Sequence, residues 1–302
     1  MMNGSENMKI NEQLLDKNAY YVIGVSGGCD SMFLLDTLRK KNYHLLVAHV
    51  NYNLRHDSYV DYELVSEYCA EYGIPFYYKE FHHDDYTDGN FQDRARTLRY
   101  TFYKEIYKLY KCKGVILGHH LDDNLETIYM QLKRHNTIHY LGIKEENEVQ
   151  DMKVVRPLMH CYKKDILAYC QNHDIPYHDD YTNFETDFER DKVRNTVLNS
   201  YTIQQKDQLL QRAYQHNTRI KELEFKVQSY YQQYIADGQI YSGSNPFIPN
   251  PKNHENELSI DAAAGRCVGG LLGERYDRTA GRARNPATGM KRLTSFLMAL
   301  VI

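Results

Sequence analysis

Short apolar runs alternate with longer segments of helical period along residues 20–133. The short runs are rich in Val, Ile and Leu, which is the pattern of strands that are buried on both faces. The longer segments repeat apolar residues every three or four positions, as at Met32, Phe33, Leu35 and Leu38, which predicts helices with one buried face. The predicted strands are Tyr20–Val25, Leu45–Val50, Pro75–Phe81 and Gly114–Gly118, and the predicted helices are Asp30–Lys41, Asp57–Tyr72, Phe91–Tyr110 and Asp122–Lys133.

This alternation predicts an α/β domain over residues 1–196, with a parallel sheet covered by helices on both faces. Functional loops are then expected at the carboxyl ends of the strands. Residues 201–236 are polar with a helical period and contain no glycine, which predicts a long helix or a helical hairpin. Gly, Ser, Asn and three prolines collect in residues 238–253 and indicate a linker. We therefore expect a second, helical region over residues 197–261 and a tail over residues 262–302.

The composition is that of a globular protein, since 42% of the 302 residues are hydrophobic and 25% are charged. It excludes a disordered or collagen-like chain. No run approaches the ~18 apolar residues of a membrane-spanning helix, and the first residues lack the apolar core of a signal peptide. We expect a soluble, cytoplasmic protein without a membrane partner.

Charge is distributed unevenly along the chain. Residues 262–302 carry six Arg and one Lys against two acidic residues, although the net charge of the whole chain is −3. Residues 1–261 are therefore acidic, which excludes a general nucleic-acid binder and leaves local basic patches as the way to hold a nucleic acid. The tail is either disordered or of different origin, or a basic segment that contacts RNA. The six cysteines form no CxxC pair, so neither a metal cage nor a disulfide framework is predicted.

The clearest chemical signal lies between the first predicted strand and the first predicted helix. It consists of six consecutive residues, namely Ser26, Gly27, Gly28, Cys29, Asp30 and Ser31. The glycines allow a tight turn, the serines offer hydroxyl groups, and the helix start offers unpaired N–H groups to a phosphate. No Walker GxxxxGK[ST] motif is present, and no lysine adjoins the loop. A carboxylate beside bound phosphates requires a divalent cation, so Asp30 is the predicted Mg²⁺ ligand.

Polar residues at the ends of later elements complete the candidate site. His49 and Asn51 end the second predicted strand, where a nucleotide base would lie if phosphates occupy the loop after the first. Arg96 and Arg99 are one helical turn apart and can both address a phosphate or a nucleobase. The alternatives are that His49 only ends a strand and that the arginines form a solvated face.

Acidic residues begin the helix that follows Gly118. Asp123 and Glu126 are three positions apart and share one side, which suits a Mg²⁺ site or an ammonium-binding site. The alternative is that the acids only cap the helix. His119 and the histidine after it are neighbours at a strand end and point opposite ways, so a shared zinc ion is not favoured.

The hexapeptide at 26–31 resembles the PP-loop of the ATP pyrophosphatases. The segments at 49–55 (HVNYNLR), 95–100 (ARTLRY) and 118–127 (GHHLDDNLET) resemble successive motifs of the tRNA(Ile)-lysidine synthetases, and the resemblance covers residues 18–196. It implies a Rossmann-like adenine nucleotide α-hydrolase fold for the domain at 1–196. It also implies adenylation of the wobble cytidine of the CAU-anticodon isoleucine tRNA, followed by its joining to free L-lysine.

The resemblance implies a role for each matching residue. ATP would be bound by residues 26–31 together with His49, Asn51 and Gly118, and Mg²⁺ by Asp30. The implied catalytic residues are Asp30, Arg96, Asp123 and Glu126, and the implied substrate-binding residues are Arg99, His119, Arg190 and Arg194. Dimers are common in the family, and the sequence leaves the oligomeric state open.

Two segments depart from the family pattern. Residues 190–194 read RDKVR where the family has RNRxR, and residues 135–142 lack the usual glycine-rich loop. Both departures bear on tRNA docking more than on ATP binding. A tRNA thiolation enzyme, a small-molecule adenylating synthetase and a non-catalytic ATP-binding or RNA-binding remnant remain the alternatives.

Overall fold

The computed structural model describes residues 9–54, 57–82, 85, 91–134, 138–178 and 192–236. The strands are β1 (Tyr20–Gly24), β2 (His44–Asn51), β3 (Phe76–Glu80), β4 (Gly114–Ile116), β5 (Glu146–Val149) and β6 (Met152–Val155). The helices are α1 (Cys29–Lys40), α2 (Ser58–Tyr72), α3 (Phe91–Leu109), α4 (Leu121–Lys133), α5 (Lys163–Asn172) and α6 (Ile203–Ala236). A π-helical segment, Val193–Leu198, precedes α6.

Within the described part of the chain, the strands form one six-stranded sheet in the order β3-β2-β1-β4-β6-β5. β1 lies between β2 and β4 and is parallel to both, so that Val22 is paired with Leu46 on one side and Val115 on the other. The α/β fold with a mostly parallel sheet is therefore confirmed, and the first four predicted strands and helices are present with ends shifted by a few residues.

The β5–β6 hairpin and α5 were not predicted. β5 and β6 are antiparallel, and they are joined by a two-residue turn in which Gln150 and Asp151 have φ angles of 49° and 61°. Such turns usually contain Asn-Gly or Asp-Gly, so the Gln-Asp pair carries no turn signal. The strands are only four residues long, which leaves too short a pattern to recognise.

Apolar side chains cover both faces of the sheet. Alternate strand residues face opposite ways, so Ile23 and Val47 pack with α1, α2 and α5, whereas Val22 and Leu46 pack with α3. Met32, Phe33, Leu35 and Leu38, which were predicted to face inward, are at most 1% exposed. The two-sided covering explains why the central strands read as continuous apolar runs.

The strand order predicts a crevice at one edge of the sheet. The chain moves outward from β1 to β2 and β3 and then returns to the other side of β1 as β4. The segments that follow β1 and β4 consequently diverge at the carboxyl edge, and ligands of open α/β sheets bind at such a switch point. A Cβ atom on Gly118 would lie 3.5 Å from the backbone of Asp30, so the two segments touch at the start of α1.

A second compact unit contains residues 128–141 and the described part of the chain from Ile203 onward. Its core includes the buried residues Ile128, Leu141 and Ala213. The Asn217 side chain accepts a hydrogen bond from the Leu141 N–H at 2.8 Å and donates one to the Leu141 carbonyl at 2.9 Å. The segment at 201–236 is thus one long helix, α6, rather than a hairpin. No helix within the described ranges combines the length and apolarity needed to cross a membrane.

The close packing of α3 on β1 generates a stability prediction. A Cβ atom on Gly24 would lie 2.4 Å from the Tyr103 hydroxyl oxygen, and Tyr103 is buried. We expect Gly24→Ala to lower the free energy of unfolding by about 1–3 kcal/mol, because the ring must move within a packed core. Urea denaturation measures this change. Adding Tyr103→Phe should recover part of the loss, and additive losses would contradict the proposed clash.

Candidate active site at the carboxyl edge of the sheet

The loop after β1 forms a tight turn that ends in the first turn of α1. Gly27 has a φ of +95°, and a Cβ atom there would lie 3.1 Å from the Asp61 side chain, so glycine is required. The Ser31 hydroxyl donates to the Gly28 carbonyl at 2.9 Å and accepts from the Ser26 N–H at 3.2 Å. Gly28 is the N-cap of α1 and supplies no side-chain cap. The first N–H groups of α1 therefore face the turn, as a phosphate-binding loop requires.

Two residues that the sequence did not indicate hold this turn from outside. The Gly27 carbonyl accepts a hydrogen bond from the His178 N–H at 3.0 Å. The His178 Nδ1 atom lies 2.9 Å from Oδ1 of Asp61, which is itself buried. Asp61 was visible only as one acid within a predicted helix, and His178 follows a stretch without a recognisable motif. Their proximity to Gly27 arises from the packing of α2 and of the chain after α5.

Cys29 turns away from the phosphate-binding side of the loop. Its side chain is 4% exposed, and its Sγ atom lies 3.5 Å from that of Cys170 on α5. Burial and the contact with Cys29 raise the pKa of the Cys170 thiol, the contact having the larger effect. Cys29 can thus serve a bound phosphate through its backbone, while its side chain belongs to the core.

His49 and Asn51 lie at the end of β2, next to the loop after β1. The His49 Nδ1 atom is 2.8 Å from the Val25 carbonyl oxygen, and its ring stacks on that of Tyr78 with a centroid distance of 5.9 Å. Burial lowers the pKa of His49, although the Val25 carbonyl opposes the shift. Nδ1 of the neutral ring therefore donates to Val25, and the buried Nε2 is an acceptor with no partner among the described residues.

Asn51 has a different environment from His49. Its Oδ1 atom accepts a hydrogen bond from the Asn53 N–H at 2.8 Å, and its Nδ2 atom donates to the Tyr78 hydroxyl at 3.3 Å. These contacts shape the turn after β2. Of the two residues, His49 is the one with a buried acceptor available for a ligand.

Asp30 projects from the first turn of α1 and receives a lysine from far along the chain. Its Oδ2 atom accepts a hydrogen bond from the Lys163 Nζ atom at 2.6 Å and lies 3.8 Å from Nε2 of His120. Its Oδ1 atom is buried and has no hydrogen-bond partner in the described part of the structure. A carboxylate oxygen left unpaired beside a phosphate-binding turn suits Mg²⁺, which binds through carboxylate and phosphate oxygens.

The acidic start of α4 is used for backbone hydrogen bonds. Asp122 Oδ2 accepts from the Lys163 N–H at 2.7 Å, and Asp123 Oδ2 accepts from the His120 N–H at 2.9 Å. Burial tends to raise the pKa of Asp123, but the adjacent His120 and His119 and the His120 N–H together hold it below its ordinary value. Asp123 is therefore ionised at neutral pH. Asp122 thus satisfies the first N–H of α5 rather than an N–H of its own helix, and Asp123 bonds to the backbone just before α4; the catalytic role of Asp123 stays a prediction.

Glu126 is fully buried and pairs with Arg194, which belongs to the π-helical segment before α6. Arg194 donates from Nε to Glu126 Oε1 at 2.5 Å and from Nη2 to Oε2 at 3.1 Å. Its Nη2 atom also lies 3.7 Å from Asp123 Oδ1. The predicted common side of Asp123 and Glu126 is thus the side that faces Arg194. Arg190, the other basic residue predicted from this motif, lies outside the described residues.

A group of cations stands on the α3 side of the crevice. Arg96 is exposed and lies over the Tyr100 ring at 4.7 Å, while the Nε atom of Arg99 is buried without a partner among the described residues. Arg156, which was not assigned from sequence, is 4% exposed and donates from Nη1 to the Lys144 carbonyl at 2.8 Å and to Asn147 Oδ1 at 2.6 Å. We call this group the cationic cluster; it consists of Arg96, Arg99 and Arg156.

His119 adjoins the cationic cluster and responds to it. Burial lowers the pKa of His119 to about 4; Asp123 opposes this shift, and the positive charges of Arg156, Arg99 and Arg96 add to it. The His119 ring is therefore neutral at neutral pH and can donate or accept a hydrogen bond without adding charge. Burial also lowers the pKa of Arg156. A bound anion would stabilise the positive charge of the buried Arg156.

Comparison with known families decides the classification. A family model described as a PP-loop domain matches residues 3–201. The chain belongs to the PP-loop family. The match includes the turn at Ser26–Ser31, which stays the predicted phosphate-binding loop of the domain.

Curated relatives match the same part of the chain. The tRNA(Ile)-lysidine synthase of Mesomycoplasma hyopneumoniae (strain 232) is 40% identical over 176 residues, which is 58% of each protein. That of Mycoplasma pneumoniae (strain ATCC 29342 / M129 / Subtype 1) is 39% identical over 179 residues, or 59% of this chain and 61% of the relative. The matched part of this PP-loop protein thus spans about three-fifths of the length of these relatives.

A solved structure supports the fold. The U34-tRNA thiolase NcsA from Methanococcus maripaludis has a TM-score of 0.54 to this PP-loop protein and 17% sequence identity, covering 86% of this chain and 85% of the thiolase. At this identity the likeness concerns the fold alone.

The Glu126–Arg194 pair generates a prediction that depends on pH. We expect Arg194→Met to lower the free energy of unfolding by about 2–4 kcal/mol at pH 7, because it removes the guanidinium from a buried carboxylate. The pKa of Glu126 should then rise above its unfolded value, so part of the loss should disappear as the pH falls and Glu126 becomes protonated. Denaturant titrations at pH 7 and pH 5 measure both effects. The matched control is Arg194→Met with Glu126→Gln, for which the pH dependence should vanish; an equal loss at both pH values in the single variant would contradict the pairing.

Proposed function

We propose that this PP-loop protein is an ATP-dependent tRNA(Ile)-lysidine synthetase, a ligase that forms a carbon–nitrogen bond in the cytoplasm. One observation carries the proposal: three features lie together at the switch point of the sheet. They are the start of α1 without a side-chain cap, the Asp30 carboxylate with an unpaired oxygen, and the acidic start of α4. This geometry suits adenylation in general, and the sequence identity to curated lysidine synthases supports tRNA(Ile) as the substrate.

ATP would bind across the loop after β1. The first N–H groups of α1 and the Ser26 hydroxyl would hold its phosphates, the Ser31 hydroxyl would support the turn through the Gly28 carbonyl, and Gly118 lets the chain after β4 approach the start of α1. The acceptor at His49 Nε2 suits a donor on the adenine edge. Asp30 Oδ1 would bind Mg²⁺. When bound, the ion neutralises charge on the phosphates.

The first step is adenylation of the wobble cytidine. Its C2 carbonyl oxygen attacks the α-phosphorus, an oxygen–phosphorus bond forms, and the bond to the β-phosphate oxygen breaks, so that pyrophosphate leaves with the electron pair. Arg96, Arg99 and neutral His119 line the other side of the crevice and would orient the cytidine and its phosphates. Fixed donors at this position cost no reorganisation during the reaction.

The second step joins lysine to the activated base. The lysine ammonium releases a proton to solvent, the neutral ε-amine attacks C2, a carbon–nitrogen bond forms, the C2–oxygen bond breaks, and AMP leaves with the electron pair. Asp123, which remains ionised because its pKa lies below the ordinary value, is suited to hold the lysine ammonium before it loses its proton. Glu126 is tied to Arg194, so we assign this pair to positioning Asp123 rather than to proton transfer.

Arg190 and Arg194 would be further contacts for the tRNA, and the helical region at 197–261 is a second candidate for tRNA contact. Free L-lysine is the second substrate, and a homodimer is compatible with this arrangement. The thiolation alternative is disfavoured by the cysteines of the described residues. All five are buried, and burial raises the pKa of Cys69, Cys112 and Cys161, which makes their thiolates scarce.

Labelled lysine tests the proposed function directly. Purified full-length protein is incubated with ATP, Mg²⁺, labelled L-lysine and a transcript of the CAU-anticodon isoleucine tRNA. We expect label to enter the tRNA only with ATP, and Asp30→Ala to reduce the rate about a hundredfold or more, because the phosphates lose their metal-binding carboxylate. A transcript with uridine at the wobble position is the matched control. Absence of label from the cytidine transcript, or pyrophosphate release that does not require tRNA, would refute the assignment.

A further inference from the structure

The PP-loop lacks a lysine in its own sequence, but the fold supplies one. Lys163 is the first residue of α5, and its Nζ atom lies 2.6 Å from Asp30 Oδ2 in the first turn of α1. The cation thus stands beside the uncapped N–H groups that face the phosphate-binding turn. Its side chain is 43% exposed, so the ammonium group can turn from Asp30 toward a ligand in the crevice.

The backbone of Lys163 is anchored independently of its side chain. The N-cap residue of α5, Tyr162, provides no side-chain cap, and Asp122 from the start of α4 accepts the Lys163 N–H at 2.7 Å instead. Farther along, α5 packs on α1 through an edge contact between Phe33 and Tyr169, with a centroid distance of 5.2 Å. The start of α5 is therefore held at the start of α1.

Positive and negative groups meet at the amino ends of α1 and α5. Each helix end carries a partial positive charge, to which Lys163 adds, while Asp30 and Asp165 in the first turns and Asp122 at the Lys163 N–H oppose it. Asp30 is the carboxylate in contact with the ammonium group, and only its Oδ2 atom is engaged. A polyphosphate in the turn would attract both Lys163 and the amino ends of the two helices.

We propose that Lys163 is the triphosphate-binding lysine of this PP-loop protein. Its Nζ atom contacts oxygens of the β- and γ-phosphates of ATP and balances the negative charge that collects on the departing pyrophosphate. Asp122 is the positioning residue that fixes the start of α5. In the free protein Lys163 rests on Asp30, and on ATP binding it passes to the phosphates, which frees Asp30 for the metal. The inference deepens the proposed function and rests on ATP as its substrate.

Equilibrium binding of ATP, inorganic pyrophosphate and AMP tests the inference without requiring catalysis. Lys163→Gln should weaken binding of ATP and of pyrophosphate about tenfold to a hundredfold, the effect of losing a charge-assisted hydrogen bond. Binding of AMP, which lacks the β- and γ-phosphates, should change less than about twofold. Lys163→Arg should retain most of the affinity. The matched control is Lys164→Gln, because Lys164 is exposed and lies over the Tyr162 ring at 5.4 Å.

A second set of variants tests whether Lys163 contacts phosphate itself or only holds the Asp30 side chain in place. The pyrophosphate titrations are repeated without metal in Asp30→Asn, in which Lys163 no longer has a carboxylate to hold. If Lys163 contacts phosphate, Lys163→Gln should still weaken pyrophosphate binding about tenfold or more in this background. Unchanged pyrophosphate binding there, or an equal loss of ATP and AMP binding in the single variant, overturns the inference.

The outcome is distinguishable from that of the tRNA experiment. A wild-type protein that binds ATP and pyrophosphate but transfers no lysine to tRNA rejects the lysidine assignment, while selective loss of pyrophosphate binding in Lys163→Gln still supports the role of Lys163. The opposite outcome is a wild-type protein that transfers lysine to tRNA and a Lys163→Gln variant that binds pyrophosphate as tightly as the wild type. That result supports the proposed function and refutes the role of Lys163.

Discussion

The left-handed turn at Gly27 is the constraint on which the candidate active site depends. Its φ of +95° and its contact with the Asp61 side chain exclude any side chain larger than hydrogen at this position. The turn directs the chain from β1 into α1 so that the first N–H groups of the helix remain available. Asp30, one turn later, inherits its position from this geometry. The Asp61–His178 pair secures the same turn from α2 and from the chain after α5.

The acidic and the basic residues of the candidate site differ in whether they have partners of opposite charge or hydrogen-bond donors. Among the described residues, the acids are engaged: Asp30 by Lys163, Glu126 by Arg194, and Asp123 by the His120 N–H. The cationic cluster has no carboxylate ion pair in the same part of the structure; Arg96 is exposed, whereas Arg156 and the Nε atom of Arg99 are buried. Arginines without carboxylate partners would favour an anionic ligand beside them, although residues 1–261 are acidic overall.

Local patterns predicted much of the fold and part of the site. The long apolar periods predicted the first four strands and helices, and the PP-loop string predicted a phosphate-binding turn at 26–31. The β5–β6 hairpin was missed because its strands are short and its turn dipeptide is unusual. Lys163 and His178 were missed because each reaches the site from a distant segment that has no signal of its own, and Arg156 was not assigned a role from sequence. Which acid would meet which base was equally invisible in the sequence.

The sequence by itself determined the α/β class, the place of a glycine turn between β1 and α1, and the residue types available for phosphate and amine chemistry. These properties follow from short-range periodicity and from backbone requirements that few residues satisfy. Only the tertiary structure decided that Cys29 faces the core, that Glu126 is tied to Arg194, and that a lysine stands beside Asp30. Those contacts join segments far apart along the chain. They exist because the parallel strands bring their carboxyl ends to one edge, and sequence spacing carries no record of that convergence.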